Sequence, residues 1–438
     1  MTHLTLYYEV PGMLDATSRF GRLVRFSPAA TLLLATPLLG ACAPVCGVVD
    51  SWSGCYPDIH GDDPSAVRSE LDAPPAAAYA GAVEQARPFV RALVVEENLP
   101  GLSLAVGMAG EVVWAEGFGW ADIDERRPVT PATLFRVGNV AQPTTATAVG
   151  VLHERGLLDL DAPVRDYVPG FPEKEWSGTT RQLMGHVAGV RHYGDDEELL
   201  YMREHCESPL DGLERFAEDP LLFAPGSRYR YSSYGWTLVG AVVEAAAGEP
   251  FLDVMQREVF DPSEMRDTGL DDVLRPAARR THLYWPFAGG NTRSGVENAH
   301  DADTSCIQGA GALLSTPSDV VRFGFAMLDG RLLRRDTLDM LQTPLGLESG
   351  ESTGSGLGWF VRSAPFGPDA ETTIFGHGGS SAGGLTSFMT LPEQDIVVAL
   401  TANVSFARNL PALSLRLARI FAGVEAAAVP DLPAAPPR

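Results

Sequence analysis

The stretch Phe135–Gly150, FRVGNVAQPTTATAVG, decides how the rest of the chain is read. A β-type run, Leu134 to Val137, meets Gly138; a polar residue, Asn139, follows, and a helical pattern begins. Pro143 is tolerated in the first turn of a helix, and Gly156 in HERGLLDLD can end it. Position 139 therefore lies at or near a helix N-terminus, where dipole and unpaired N–H groups stabilise developing negative charge. Position 142 lies one turn on, on the same face. These are places for a nucleophile and its base, yet they hold two neutral amides, Asn139 and Gln142.

Two further segments carry chemistry-bearing residues. In YRYSSYGWTLVGAVVEAAAG, Tyr231 sits just before a helix, with Ser232, Ser233 and Gly235 at its start. Taken alone, it reads as a buried tyrosine capping that helix. In FGHGGSSAGGLTSF, residues 375–388, His377 and several glycines precede a strand. The glycines let a ligand approach backbone N–H groups, and without GK[ST] the segment is a glycine-rich turn rather than a phosphate loop.

Taken in this order, the three segments resemble the serine β-lactamase and penicillin-binding-protein superfamily, in its class C-like, β-lactamase-related branch. The flanking text GLLDLDAPVRDYVPGFP, FAPGSRYRYSSYGWTLVG and GAGALLSTPSDVVRF is similar too, and YVPGFPEKEWSGTTRQLMGHVAGVRHY is especially similar to mitochondrial β-lactamase-like proteins. The likeness runs from about residue 78 to 422. It implies an α/β fold of the β-lactamase/transpeptidase type, an antiparallel sheet flanked by helices with an inserted mainly helical domain. By resemblance, Asn139 holds the place of the acylated serine and Gln142 that of its lysine. Tyr231 matches the proton-relay tyrosine, Ser233 replaces the asparagine of the second motif, and His377 opens the third, with Gly379 and Ser380 following. The N–H groups of Asn139 and Ser380 would form an oxyanion hole, with His377 as a further donor. The family's His-Thr-Ser-Gly loop reads His186-Val187-Ala188-Gly189, without its hydroxyls.

The substitutions bear directly on acyl transfer, which needs a hydroxyl deprotonated as it attacks. Asparagine is a poor nucleophile, and glutamine has no basic lone pair at neutral pH. Loss of such a nucleophile costs on the order of 10⁶ in kcat in a well-studied serine hydrolase. Lysine cannot be recruited from nearby, because the chain has one, Lys174, with no serine three residues before it. Substitute hydroxyls are Thr144, Thr145, Thr147, Ser232, Ser233, Ser380 and Ser381, with Tyr231 or His377 as base. His186 and His192, six residues apart, do not make a metal motif, and no cofactor is expected.

The remaining chain sets the context. Its 438 residues, 45% hydrophobic, suffice for a large core. A net charge of −23 lacks the basic stripe that nucleic acid requires. Arg19, Arg22 and Arg25 precede the uncharged run Phe26–Ala41, whose end overlaps Leu39-Gly40-Ala41-Cys42. This reads as a lipoprotein signal over 1–42, with lipidation of Cys42 and a membrane partner through that anchor. Residues 43–76 read as a linker, within which Cys46 and Cys55 could pair in an oxidising envelope. Cys206 and Cys306 read as isolated, buried thiols. A split α/β domain is expected over 77–130 and 340–422, a helical insert over 131–339 and a loose tail over 423–438. The expected protein is a bacterial envelope lipoprotein, at the periplasmic face or outer membrane. It would be catalytically impaired and bind peptide-like or carboxylate small molecules. The rivals are an active hydrolase with a relocated hydroxyl and a structural or assembly protein.

Overall fold

The computed structural model describes residues 58–194, 202–288, 291–368 and 370–424. The signal stretch, Cys42, Cys46 and Cys55 lie outside them, as do Asp195 to Glu198 and residues 425–438. Contacts divide the chain into Met1–Tyr56 and Pro57–Arg438, and every described residue belongs to the second unit.

Thirteen strands are found among the described residues: β1 Ser69–Leu71, β2 Gly101–Met108, β3 Glu111–Asp122, β4 Arg127–Pro128, β5 Phe135–Arg136, β6 Gly269–Leu270, β7 Tyr284–Ala288, β8 Asn291–Asn298, β9 Leu313–Ser315, β10 Phe360–Pro365, β11 Glu371–Ser381, β12 Gly384–Leu391 and β13 Ile396–Ala402. The main sheet runs β1-β3-β2-β13-β12-β11-β10, with β4 on β3, and every pairing is antiparallel. Its central strand, IVVALTA, is buried throughout, as a β-branched run covered on both faces should be. Val397 and Ala399 enter one core while Val398, Leu400 and Ala402 enter the other, the two-residue alternation of a strand.

Helices cover both faces. On one side lie α1 Ala80–Glu96 and the closing helix Leu410–Phe421, whose apolar stripes share a core with Leu102, Leu104 and Val106. Pro88 stands inside α1 and withdraws one N–H from its ladder, but Val83, Ala86, Val90, Leu93 and Val94 bury the helix regardless. On the other side the helix Pro317–Leu328 lies close to β2 and β13, because Gly107 and Gly324 leave room. A Cβ on Gly107 would stand 2.3 Å from Phe325, and one on Gly324 2.6 Å from Val397.

Between β5 and β10 helices alternate with long loops and short strands, and two of the helices place the site: α2 Ala141–Glu154 and α5 Ser233–Ala247. Two others in this stretch, Val164–Tyr167 (α3) and Thr180–Met184 (α4), are short. The same region also holds the small sheet β5-β9-β6 and the hairpin β7-β8.

Two readings of the sequence need correction. The stretch read as linker contains β1, whose Ser69, Glu70 and Leu71 pair with Phe118, Gly117 and Glu116, so the sheet begins before residue 76. Three residues carry no helical or long alternating pattern from which to see it. Cys206 and Cys306 are not separate thiols: they form a disulfide across 100 residues, with Cα atoms 4.8 Å apart. Closing a loop of that length stabilises a fold by about 4–5 kcal/mol in the chain-entropy picture.

Arg136 on β5 is the largest buried charge next to the site. It is 1% exposed, and its Nε meets Asp271 Oδ2 at 2.5 Å while Arg280 meets the same carboxylate at 2.8 Å. Arg136 also donates to the carbonyls of Ala382 and Ala302. Removing the carboxylate leaves two guanidinium groups inside the protein with only the exposed Asp301 beside them, 3.1 Å from Arg280 and 3.9 Å from Arg136. Asp271→Ala is therefore expected to lower unfolding free energy by about 3–5 kcal/mol, read as a fall in the urea midpoint. A loss below about 1 kcal/mol would place the arginines in a wetter setting than this.

Candidate active site

The start of α2 touches the edge of β11 backbone to backbone. Gly138, at φ +52°, opens a tight turn, Gly138–Val140, that leads into α2. A Cβ at Gly138 would stand 2.6 Å from the Ser380 carbonyl oxygen, and one at Gly379 only 1.9 Å from that of Val137. Glycine at both positions is thus a steric requirement, and the contact brings Asn139 beside Ser380.

The Asn139 carboxamide spans this junction. Its Oδ1 accepts from the Ser380 N–H at 3.5 Å, at the weak limit of a hydrogen bond. Its Nδ2 donates to Ser233 Oγ at 3.1 Å and reaches the Ala310 carbonyl at 3.5 Å. The expected oxyanion donor at Ser380 is therefore already turned toward an oxygen of the chain itself.

Gln142 is fully buried, and its Nε2 donates to the Tyr231 hydroxyl at 2.7 Å. Its Oε1 has no hydrogen-bond partner among the described residues. Burial holds the Tyr231 phenol neutral, well above its ordinary value, and the hydrogen bonds from Gln142 and Ser233 only partly oppose this.

Three imidazoles complete the site. His186, at φ +59°, accepts the Ser232 N–H on Nδ1 at 3.1 Å, and its ring lies 4.3 Å from that of Tyr231. His192 accepts the next N–H, of Ser233, also at 3.1 Å. These two rings thus hold the first residues of α5, whose N-cap is Ser232. His377 stacks on Phe360, 4.5 Å between centroids. Burial lowers His186 to about 3, helped by charge repulsion from His377 and His192, and burial lowers His377 to about 4.

Asn139, Gln142, Tyr231, Ser233, His377, Gly379 and Ser380, drawn from three separate segments of the sequence, thus lie close together in the fold. His377 differs from the expectation in one respect. Its Nδ1 lies 2.6 Å from the Gly378 carbonyl, which can only accept, so Nδ1 carries the proton and Nε2 of the neutral ring is an acceptor. Sequence reasoning placed His186 in the loop that matches the family's His-Thr-Ser-Gly and His192 in no motif, and it gave neither ring a role in holding the start of α5. Their partners lie 46 and 41 residues away, and no spacing rule reports that. Among the described residues no group of three His, Cys, Asp or Glu is placed to hold a metal, and no helix is long and apolar enough to cross a membrane.

The substitute hydroxyls are mostly committed elsewhere. Thr144, Thr145 and Thr147 donate to the carbonyls of Ala141, Gly309 and Pro143. Ser232 donates to Arg191 and Ser380 to Ser405. Ser233 receives the Asn139 amide.

A sequence profile of the beta-lactamase family matches residues 86–418. The human mitochondrial serine beta-lactamase-like protein LACTB is 31% identical over 329 residues, 60% of this chain and 59% of that protein. The chain thus spans under two thirds of that relative's length. Esterase EstB of Burkholderia gladioli is 35% identical over 188 residues, 40% of this chain and 48% of the esterase. The octameric penicillin-binding protein homologue from Pyrococcus abyssi superimposes with a TM-score of 0.66 at 22% identity, covering 78% of each chain.

The two depressed histidines make stability depend on pH with a definite sign. The unfolded chain binds a proton at each ring near 6.5, while the folded rings resist protonation to about 4 and about 3. Their contribution is complete above about pH 6.5 and is lost as the pH falls toward the folded values. By about pH 5 each should cost roughly 2 kcal/mol. Urea unfolding at pH 7.5 and pH 5 should therefore show a smaller acid loss in His377→Gln than in the natural protein; equal losses would mean that the buried ring is not held neutral.

Proposed function

The chain belongs to the beta-lactamase family, and from that premise we propose that it is a member whose covalent acyl-transfer chemistry has been silenced. The observation that carries the reading is the pair of amides. Asn139 turns its carboxamide onto the Ser380 N–H, and Gln142, in the place that the resemblance gives to a lysine, donates to Tyr231 but cannot take a proton. The site keeps its aromatic wall, its neutral phenol and the weakly engaged Ser380 donor. It therefore suits non-covalent capture of a small peptide-like or carboxylate ligand, whose oxygen would displace Asn139 Oδ1 from a bond of 3.5 Å. His377 enters this reading as an acceptor for a ligand N–H, not as a donor.

The rival, a hydrolase using a moved hydroxyl, has little support in the geometry. Thr144, Thr145 and Thr147 are buried and bonded to backbone carbonyls, and a neutral Tyr231 held well above its ordinary value is a weak base. For cellular location we propose the bacterial envelope, anchored through Cys42. The Leu39-Gly40-Ala41-Cys42 sequence supports this, and the Cys206–Cys306 bond suits an oxidising compartment.

The test is intact mass of the full chain after exposure to a penicillin and to a fluorophosphonate, beside Asn139→Ser with Gln142→Lys. The natural protein is expected to gain no mass and the double variant to gain one adduct. An adduct on the natural protein, mapped to a residue by peptide analysis, would overturn the silenced reading and name the working nucleophile.

A further inference from the structure

The segment from Asp301 to Leu313 runs behind the site and is tied in two directions. Toward the site, the Ala302 carbonyl accepts from Arg136 at 2.6 Å and that of Gly309 from Thr145 on α2 at 3.0 Å. The Ala310 carbonyl faces the Asn139 amide at 3.5 Å, and that of Leu313 accepts the Val137 N–H at 3.1 Å. On the other side it is fastened to Met202–Glu207. The Asp303 N–H donates to Met202 at 2.7 Å, and the Asp303 carboxylate meets His205 at 2.9 Å. Ser305 Oγ accepts from the Cys206 N–H at 2.9 Å, and Gln308 reaches the carbonyls of Cys206 and Glu207 at 3.4 Å each. The covalent tie among these is Cys206–Cys306.

This arrangement has little slack. Gly212 is close enough to Cys306 that a Cβ there would lie 2.0 Å from the Cys306 carbonyl oxygen. Gly309, at φ +88°, would place a Cβ 2.7 Å from the Trp236 carbonyl oxygen on α5. The segment is thus wedged between the Cys206 loop, α5 and the start of α2. Both cysteines are buried, Cys306 fully and Cys206 to 6% exposure. Two thiols cannot remain at bonding distance, so cutting the bond pushes the sulfurs apart in a packed interior and removes the covalent tie between the two segments. Cys306 stands only one short turn of chain from Gly309 and Ala310, so a displacement at the sulfur reaches the wall that holds Thr145 and Asn139.

We propose that the Cys206–Cys306 disulfide is a positioning element of the site, holding the Gly309–Ala310 wall against α2, so that its reduction loosens the site while the main sheet stays intact. The step is an exchange with a dithiol. The reductant passes two electrons and two protons to the S–S bond, leaves as a cyclic disulfide, and Cys206 and Cys306 become thiols. The inference rests on the wall's geometry and holds whether or not the site turns over.

Hydrogen exchange followed by mass spectrometry tests it on the full chain, oxidised and after dithiothreitol, with alkylation and intact mass confirming two new thiols. A Cys206→Ser/Cys306→Ser variant supplies the same comparison where the reagent does not reach the buried bond. Amides of residues 137–145 and 305–313 are expected to exchange at least about tenfold faster in the reduced and variant forms. Those of β2 and β13 should be unchanged. Equal exchange over 137–145 in all forms would overturn the proposal. Acceleration throughout β2 and β13 would also overturn it, because the bond would then be a staple of the whole fold rather than of the site.

Discussion

The approach of β11 to the start of α2 is the constraint on which the rest depends. Two backbones meet there without side chains between them, since Gly379 has no room for a Cβ against Val137 and Gly138 none against Ser380. The contact joins the main sheet to the helical region and delivers the Ser380 N–H to the side chain at 139. Around it the fold invests buried polar groups: Arg136 and Asp271 below β5, and the Gly309 and Ala310 carbonyls behind α2. Such groups are tolerated in a low-dielectric interior only when paired, which makes this junction rigid on both sides.

Within that frame two amides stand at the positions that the family resemblance gives to a serine and a lysine. Gln142 preserves a 2.7 Å contact to Tyr231 while withholding a base, and Asn139 fills the space before Ser380 with an oxygen that cannot attack. His186 and His377 are buried enough to stay neutral, so neither of these two rings gives Tyr231 a positive charge that would lower its proton affinity. On the proposed reading, such a site of hydrogen-bond donors, acceptors and rings serves recognition rather than bond making. A disulfide beside its back wall adds a covalent brace to the hydrogen bonds that fasten the wall to Met202–Glu207.

The glycine-rich and motif-bearing segments were legible because they are local. Phe135–Gly150 announces a strand, a turn and a helix in consecutive residues, and the helix is found at Ala141–Glu154. The closing helix shows Leu410, Leu413, Leu417 and Phe421 at helical spacing for the same reason. What was not legible depends on distant partners. Strand β1 gains its identity only from β3. The cysteines at 206 and 306 have no spacing that pairs them. His186 and His192 serve the site by accepting backbone N–H groups 46 and 41 residues away, and the tautomer of His377 is set by the carbonyl of the next residue in a fold-dependent conformation.

The sequence by itself therefore determined the family likeness, the order of the three motifs and the identity of the two amides where a serine and a lysine would stand. Those are properties of residue type and local spacing, which the chain carries before it folds. Only the tertiary structure decided where the Asn139 oxygen points, which nitrogen of His377 carries the proton, that Tyr231 is held neutral, and that a disulfide braces the wall behind the site. Direction, protonation and cross-linking depend on distance through space and on the exclusion of water, and neither quantity exists until the chain has packed.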